Sequence, residues 1–168
     1  MPTLREIQQP IKERYRDEPG AARITLGASG STTEGAMSCS VDIGRAIYAA
    51  QAHTGVGGAG TAACSGDLLL GALAACAQLT CQMVAANMGL DGVGVAVEVE
   101  GDLDLRGTLG TADVPVGFEA IRVRFSLTGT AGVPPDRLER LRDRAERYCV
   151  VLQTLVTPPA IEASWSEA

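Results

Sequence analysis

The sequence has one histidine, His53, and no arginine-rich stripe free of acidic neighbours. At a formal net charge of −6 it lacks the basic footprint that a phosphate backbone requires, so nucleic acid is not an expected partner. Its start, Met1-Pro2-Thr3-Leu4-Arg5-Glu6, lacks the basic head, apolar stretch and small-residue cleavage site of a secretory signal, and the expected location is the cytoplasm. The longest apolar stretch, Leu68 to Met88, is interrupted by Gln78, Gln82 and Asn87 and dominated by small residues. It reads as a buried central helix rather than a membrane span, and no membrane partner is expected. There is no internal repeat and no low-complexity tail, and 168 residues at 46% hydrophobic composition suffice for the core of one domain.

Cysteine is present, but not in a structural pattern. Five of them, Cys39, Cys64, Cys76, Cys81 and Cys149, are an odd number without an export signal, which argues against a disulfide framework. No pair has the two-residue spacing of a zinc knuckle, so neither a metal nor another cofactor is expected. The ordinary role of each is that of a small buried hydrophobe.

What is there reads as alternating elements. Thr3 and Glu6 resemble a capping box, and Leu4, Ile7, Ile11 and Tyr15 fall at helical spacing, with Pro10 as a kink, giving an N-terminal helical arm over residues 1–20. Strand candidates Arg23 to Leu26, Ala36 to Val41 and Ala46 to Ala50 are separated by turn material at Gly27 to Gly35 and Asp42 to Gly44, as in an antiparallel meander. The central helix is expected from Ser65 or Asp67 to near Gly89. Val95, Val97 and Val99 alternate with polar partners, as do Leu103 and Leu105, and Ile121, Val123, Phe125 and Leu127 repeat the pattern with Arg122 and Arg124 outward. The acidic outer face of the first strand and the basic face of the second favour their pairing. Leu138, Leu141, Ala145 and Cys149 form a helical stripe with Asp136/Arg140 and Asp143/Arg147 as i,i+4 pairs, and Ile161, Ala163 and Trp165 alternate as a terminal strand. The fold class is α+β, with antiparallel sheets packed around a central apolar helix. A helix apolar on most of its circumference is hard for one chain of this size to cover, and a homodimer is expected.

Gly55-Val56-Gly57-Gly58-Ala59-Gly60 matches G-x-G-x-x-G, but the helix does not open on the third glycine and no acidic residue follows about twenty positions later, so it reads as a turn over a pocket mouth. His53 beside it has no serine or acid spaced to orient it as a base. The more informative pattern is a cysteine inside an apolar helix with another far along the chain. Cys76 shares a helical face with Leu69, Leu73, Thr80 and Met83, whereas Cys81 lies roughly 140° away at about 100° per residue, too far round for a disulfide within one helix. Cys149, on the inward stripe of the later helix or at the start of a short one after it, is the better partner.

The run Ser65-Gly66-Asp67-Leu68-Leu69-Leu70-Gly71-Ala72-Leu73-Ala74-Ala75-Cys76, followed by Glu146-Arg147-Tyr148-Cys149, resembles the two-cysteine signature of the OsmC/Ohr family, osmotically inducible and organic hydroperoxide resistance proteins. Cys64-Ser65-Gly66-Asp67, Gly101-Asp102-Leu103-Asp104-Leu105-Arg106-Gly107 and Tyr148-Cys149-Val150-Val151-Leu152 resemble a divergent OsmC-like subgroup, and the likeness extends over residues 21–168 as one domain. It implies an intertwined homodimer that reduces organic hydroperoxides with a dithiol reductant, Cys76 being peroxidatic and Cys149 resolving. Leu69, Leu73 and Met83 would form an apolar wall for an alkyl chain. The alternative on the same fold is a non-catalytic thiol sensor or a binder of small apolar ligands. The sequence departs from the family pattern at Gly66, where a glutamate is usual, at Thr32 or Thr33, where an arginine is usual, and at Val150 in place of a proline. Asp67, Arg23 and Arg45 are the candidates to support Cys76 in their stead, with helix capping and surface strand positions as their ordinary readings.

Overall fold

The computed structural model describes residues 3–32, 38–43 and 46–166, with backbone alone at 29–32 and 38–40. Two compact units emerge, one of residues 1–71 and 99–124 and one of residues 72–98 and 125–168.

In the first unit, helix α1 (Leu4–Asp17) starts on the expected capping box: Thr3 Oγ1 accepts the Glu6 N–H, and the Glu6 carboxylate accepts the Thr3 N–H. The helix continues through Pro10, and none of its residues is buried. Strands β1 (Ser29–Thr32), β2 (Ser38–Asp42) and β3 (Ile47–Gln51) form an antiparallel sheet in that order. The first strand is therefore not at Arg23 to Leu26, which has no regular structure, but in the Gly/Ser/Thr segment expected to turn. The register with β2, Ser29 opposite Asp42 and Thr32 opposite Cys39, decides this. An edge strand needs only backbone donors and acceptors, and side-chain propensity yields to the pairing.

The glycine-rich loop that follows is tied at its base. Gln51 N–H donates to Ala63 O at 3.0 Å, and the Gln51 amide brackets Thr61, donating to its hydroxyl and accepting its N–H. Gly57 and Gly60 hold φ of 96° and 72°, and a Cβ at Gly58 would stand 1.7 Å from Ala52 O, so this turn requires glycine. The loop delivers the chain to α2 (Ser65–Asn87), the apolar helix expected over that stretch. By length and hydropathy α2 could span a bilayer, yet Leu73, Ala77, Thr80, Cys81, Val84 and Ala85 on it are buried in the protein.

Strands β4 (Gly94–Asp102) and β5 (Ala120–Thr128) pair as a two-stranded sheet, antiparallel because Asp102 O accepts the Glu119 N–H at one end while Gly94 abuts Thr128 at the other. Their burial alternates residue by residue, and the expected charge match is made: Arg122 pairs with Asp102 and Glu100, and Arg124 with Glu100. The alternation of Leu103 and Leu105 does not extend the strand. Asp104 instead caps a short helix, α3 (Leu105–Leu109), by accepting the Arg106 N–H, and Gly110 ends it in the left-handed region at φ 65°.

In the second unit the core gathers Cys81, Val84 and Ala85 of α2 with Leu90, and with Leu141 and Ala145 of α4 (Pro135–Tyr148), packed against Val93, Val95, Phe125 and Leu127. Helix α2 ends at Gly89, φ 65°, and the Arg137 guanidinium of α4 caps it by donating to Met88 O. Asp136 and Arg140 form the expected ion pair, whereas Arg147 lies over the Tyr148 ring, 5.8 Å from its centre, rather than on Asp143. Helix α5 (Val150–Val156) follows after one residue, Cys149. The expected terminal strand is not formed: residues 158–166 have no regular structure, and Trp165 is 97% exposed. Among the described residues no strand edge pairs with them, and alternation alone does not make a strand without a partner.

Candidate functional site

The site begins with a polar pair on one apolar helix and a break between two others. In α2, an apolar helix, Cys76 and Thr80 are one turn apart on one face, and their Sγ and Oγ1 atoms lie 4.0 Å apart. At the end of α4 the stripe Leu141, Ala145, Cys149 turns inward at every fourth residue, which drives Cys149 into the interior. Cys149 then leaves helical geometry, with φ −74° and ψ 104°, closing α4 and opening α5. Its side chain has no exposed surface, while that of Cys76 is half-buried. Both are free thiols.

The two sulfurs are polarised in opposite senses. Burial pushes the Cys76 thiol up, but the Val151 N–H, the Cys149 thiol, the Thr80 hydroxyl and the Val150 N–H together outweigh it and hold its pKa below the ordinary thiol value. Burial pushes the Cys149 thiol up; the Leu152 N–H is the larger opposing influence and the Val151 N–H the smaller, while Cys76 adds to the rise, and the net shift is upward. Cys76 is thus the more acidic of the two sulfurs and Cys149 the less. Among the described residues, none of the groups acting on Cys76 is a cation.

The other sequence-proposed residues fall elsewhere. Asp67 is at the start of α2, where its carboxylate accepts the Cys64 N–H at 2.9 Å and its own N–H points at Cys64 Sγ, 3.5 Å away. Since Cys64 O accepts the first helical bond, from Leu68, this is a capping box with a thiol in place of the usual hydroxyl. The Cys64 N–H bond first, and the His53 charge least, hold the Asp67 carboxyl below its usual value. Arg23 is exposed at the end of a short 3-10 turn and belongs to the first unit, whereas Cys76 belongs to the second. Arg45 and Thr33 lie outside the described residues, and only the backbone of Thr32 and Cys39 is described. Of the expected apolar wall, Leu73 is fully buried and presents no surface, while Leu69 and Met83 are exposed.

Cys81 is buried in the core between α2 and α4, and burial raises its pKa. His53 Nδ1 accepts the Gly55 N–H at 3.0 Å, so its proton in the neutral form is on Nε2. With Val56, Asp67, Leu70 and Phe118 it lines a cavity of about 490 Å³ in the first unit, under the glycine-rich loop. Among the described residues no cluster of three or more metal-ligating side chains comes together. Sequence reasoning assigned nothing to Thr80 or to the N–H groups of Val150 and Val151. The first was legible as a polar residue four positions after Cys76; the others depend on how α5 is set.

The chain is an α+β protein with one free thiol, Cys76, in an apolar helix and another, Cys149, at a helix–helix junction. A family model described as OsmC-like protein matches residues 58–164, and the chain belongs to this family. Among solved structures the fold is similar to an OsmC-like protein from Mycoplasma pneumoniae, with TM-score 0.64 and 15% identity over 80% of this chain and 89% of that one. It is also similar to an organic hydroperoxide resistance protein OsmC from Legionella pneumophila, with TM-score 0.54 and 17% identity over 81% and 92%. An organic hydroperoxide resistance protein from Elizabethkingia anophelis gives TM-score 0.55 and 19% identity over 82% and 91%. No protein of curated function matches the sequence.

Proposed function

We propose that the chain is a thiol-dependent reductase of organic hydroperoxides that works as a homodimer, with residues 1–20 as an arm before the domain, Cys76 as the peroxidatic cysteine and Cys149 as the resolving one. The observation that carries this is the Cys76–Cys149 pair, two free thiols that act on each other, in which the half-buried sulfur is the more acidic and the fully buried sulfur the less. Membership of a family whose structural relatives include organic hydroperoxide resistance proteins supports it.

In the proposed cycle the Cys76 thiolate attacks the terminal oxygen of the hydroperoxide. An S–O bond forms as the O–O bond breaks, and the departing alkoxide takes a proton and leaves as the alcohol. The Cys149 sulfur then displaces the oxygen of the Cys76 sulfenic acid, which leaves as water, and a disulfide remains. A dithiol reductant returns both cysteines to thiols and is itself oxidised to a disulfide. The dimer is supported by the first unit, in which Ala50 is the single buried hydrophobic residue among those described, while Ile24, Leu26 and Ile47 are all more than 70% exposed. A second reading, a thiol sensor that oxidises without turning over, is favoured by the uncharged character of the groups that act on Cys76 among the described residues.

Steady-state consumption of cumene hydroperoxide with dithiothreitol tests the proposal. The wild-type chain is expected to turn over and Cys76→Ser to lose all activity, since a serine hydroxyl forms no sulfenic acid. Wild-type protein that is oxidised once but never turns over would leave the sensor, and wild-type protein whose Cys76 stays reduced would overturn both readings.

A further inference from the structure

We infer that the Thr80 hydroxyl is a further catalytic group, the side chain that hydrogen-bonds the Cys76 sulfur and favours its thiolate. The inference deepens the peroxidase reading and rests on it for the word catalytic, but the interaction itself stands on geometry alone.

Thr80 is the single buried polar side chain among the described residues, 6% exposed, in a helix that is otherwise apolar around it. A hydroxyl in that position costs free energy unless it is hydrogen-bonded, and alanine or leucine would fill the space and propagate the helix better. Its side-chain partner is Cys76 Sγ, at 4.0 Å and one helical turn away. A thiol is a weak acceptor and a thiolate a strong one, so the hydroxyl is best satisfied when Cys76 is ionised. The same preference is what a nucleophilic cysteine needs where no cation supplies it. Across from Thr80 the sulfur meets the Cys149 thiol and the N–H groups of Val150 and Val151, at the junction of α4 and α5. These are all uncharged donors, and no charged side chain among the described residues acts on Cys76 from α2, α4 or α5. The carbon skeleton of Thr80 packs like that of valine, so the oxygen is the part that the packing alone does not require.

The test reads Cys76 ionisation directly. The full-length reduced protein is alkylated with iodoacetamide between pH 5 and 10, and modification is followed on the Cys76 peptide by mass spectrometry. Thr80→Val is expected to move the Cys76 profile to higher pH by about one unit, so that alkylation at pH 6 slows about tenfold while the rate above both midpoints is unchanged. Thr80→Ser keeps the oxygen and is expected to retain the wild-type midpoint. A merely structural role would leave the midpoint in place whatever it did to thermal stability. If Thr80→Val keeps the wild-type midpoint, or Thr80→Ser shifts as Thr80→Val does, the inference is overturned. Should Thr80→Val not fold, Thr80→Ala and Thr80→Ser, which differ by one oxygen, decide it by the same midpoints. No hydroperoxide enters the assay, so failure of the peroxidase reading and failure of the Thr80 assignment are separate results.

Discussion

The Cys149 side chain has no exposed surface, and its thiol helps hold the half-buried Cys76 thiol below its ordinary pKa while its own is raised. The two sulfurs therefore differ in both access and acidity. An oxidant that reaches the pair from solvent meets Cys76 first, the sulfur whose thiol is held below its ordinary pKa.

Cys149→Ser is expected to keep this first oxidation and lose the second. After one equivalent of cumene hydroperoxide, a sulfenic acid should accumulate on Cys76 and be trapped there by dimedone, whereas the wild type should yield a Cys76–Cys149 disulfide and little adduct. Peptide mapping checks both outcomes, and a dominant link through Cys64 or Cys81 would remove Cys149 from the resolving role.

The pH dependence follows from the direction of the Cys76 shift. Below its lowered pKa the sulfur is a thiol and unreactive, and the rate rises as pH passes through that value. The midpoint of single-turnover hydroperoxide reduction is expected below that of Cys76 in the urea-unfolded chain, whose thiol has lost its donors. Coincident midpoints, measured by alkylation in both states, would show that the donors do not act on the sulfur.

Asp67 caps the start of α2 and is predicted to affect stability alone. Asp67→Ala should cost about 1 kcal/mol in urea unfolding while leaving the Cys76 alkylation profile unchanged. Because the folded carboxyl is held below its ordinary value, the cap's contribution is present at neutral pH and lost as pH falls through the folded pKa, so the variant and wild type should converge in acid. A shifted alkylation profile would give Asp67 a part in the thiol chemistry.

Leu141 is fully buried where α4 packs in the core with α2, and Leu141→Ala should destabilise the fold by roughly 2–5 kcal/mol by leaving a cavity. Cys81→Ser, in the same core, should cost about 1–3 kcal/mol by burying a hydroxyl, with hydroperoxide turnover per folded molecule unchanged. Chemical denaturation beside the activity assay separates the two effects, and loss of turnover in folded Cys81→Ser would give Cys81 a role beyond packing.

The dimer is checked by light scattering at micromolar concentration, where twice the chain mass is expected. A monomer that still turns over would mean that the exposed Ile24, Leu26 and Ile47 cover nothing needed for the reaction.

Much of this was determined by the sequence alone. Several elements formed where a side-chain period or a cap marked them: α2 over its apolar stretch, β4 and β5 with their matched charges, α4 with its inward stripe, α1 with its capping box. The two cysteines were legible for the same reason, since helical phase put Cys76 and Thr80 on one face, set Cys81 aside, and turned Cys149 inward after Leu141 and Ala145. Strands whose existence depends on a partner were not legible. Ser29 to Thr32 carries no strand signal and is held by β2, while Ile161 to Trp165 carries a good one and has no described edge to meet. Nor could alternation at Leu103 and Leu105 reveal that Asp104 would stop the strand by capping a helix. The polarity of the site was likewise decided only in three dimensions. The groups that lower the Cys76 thiol include backbone N–H donors of Val150 and Val151, which every sequence supplies and only the fold can aim at a sulfur, because hydrogen bonds depend on direction and backbone direction is set by tertiary packing.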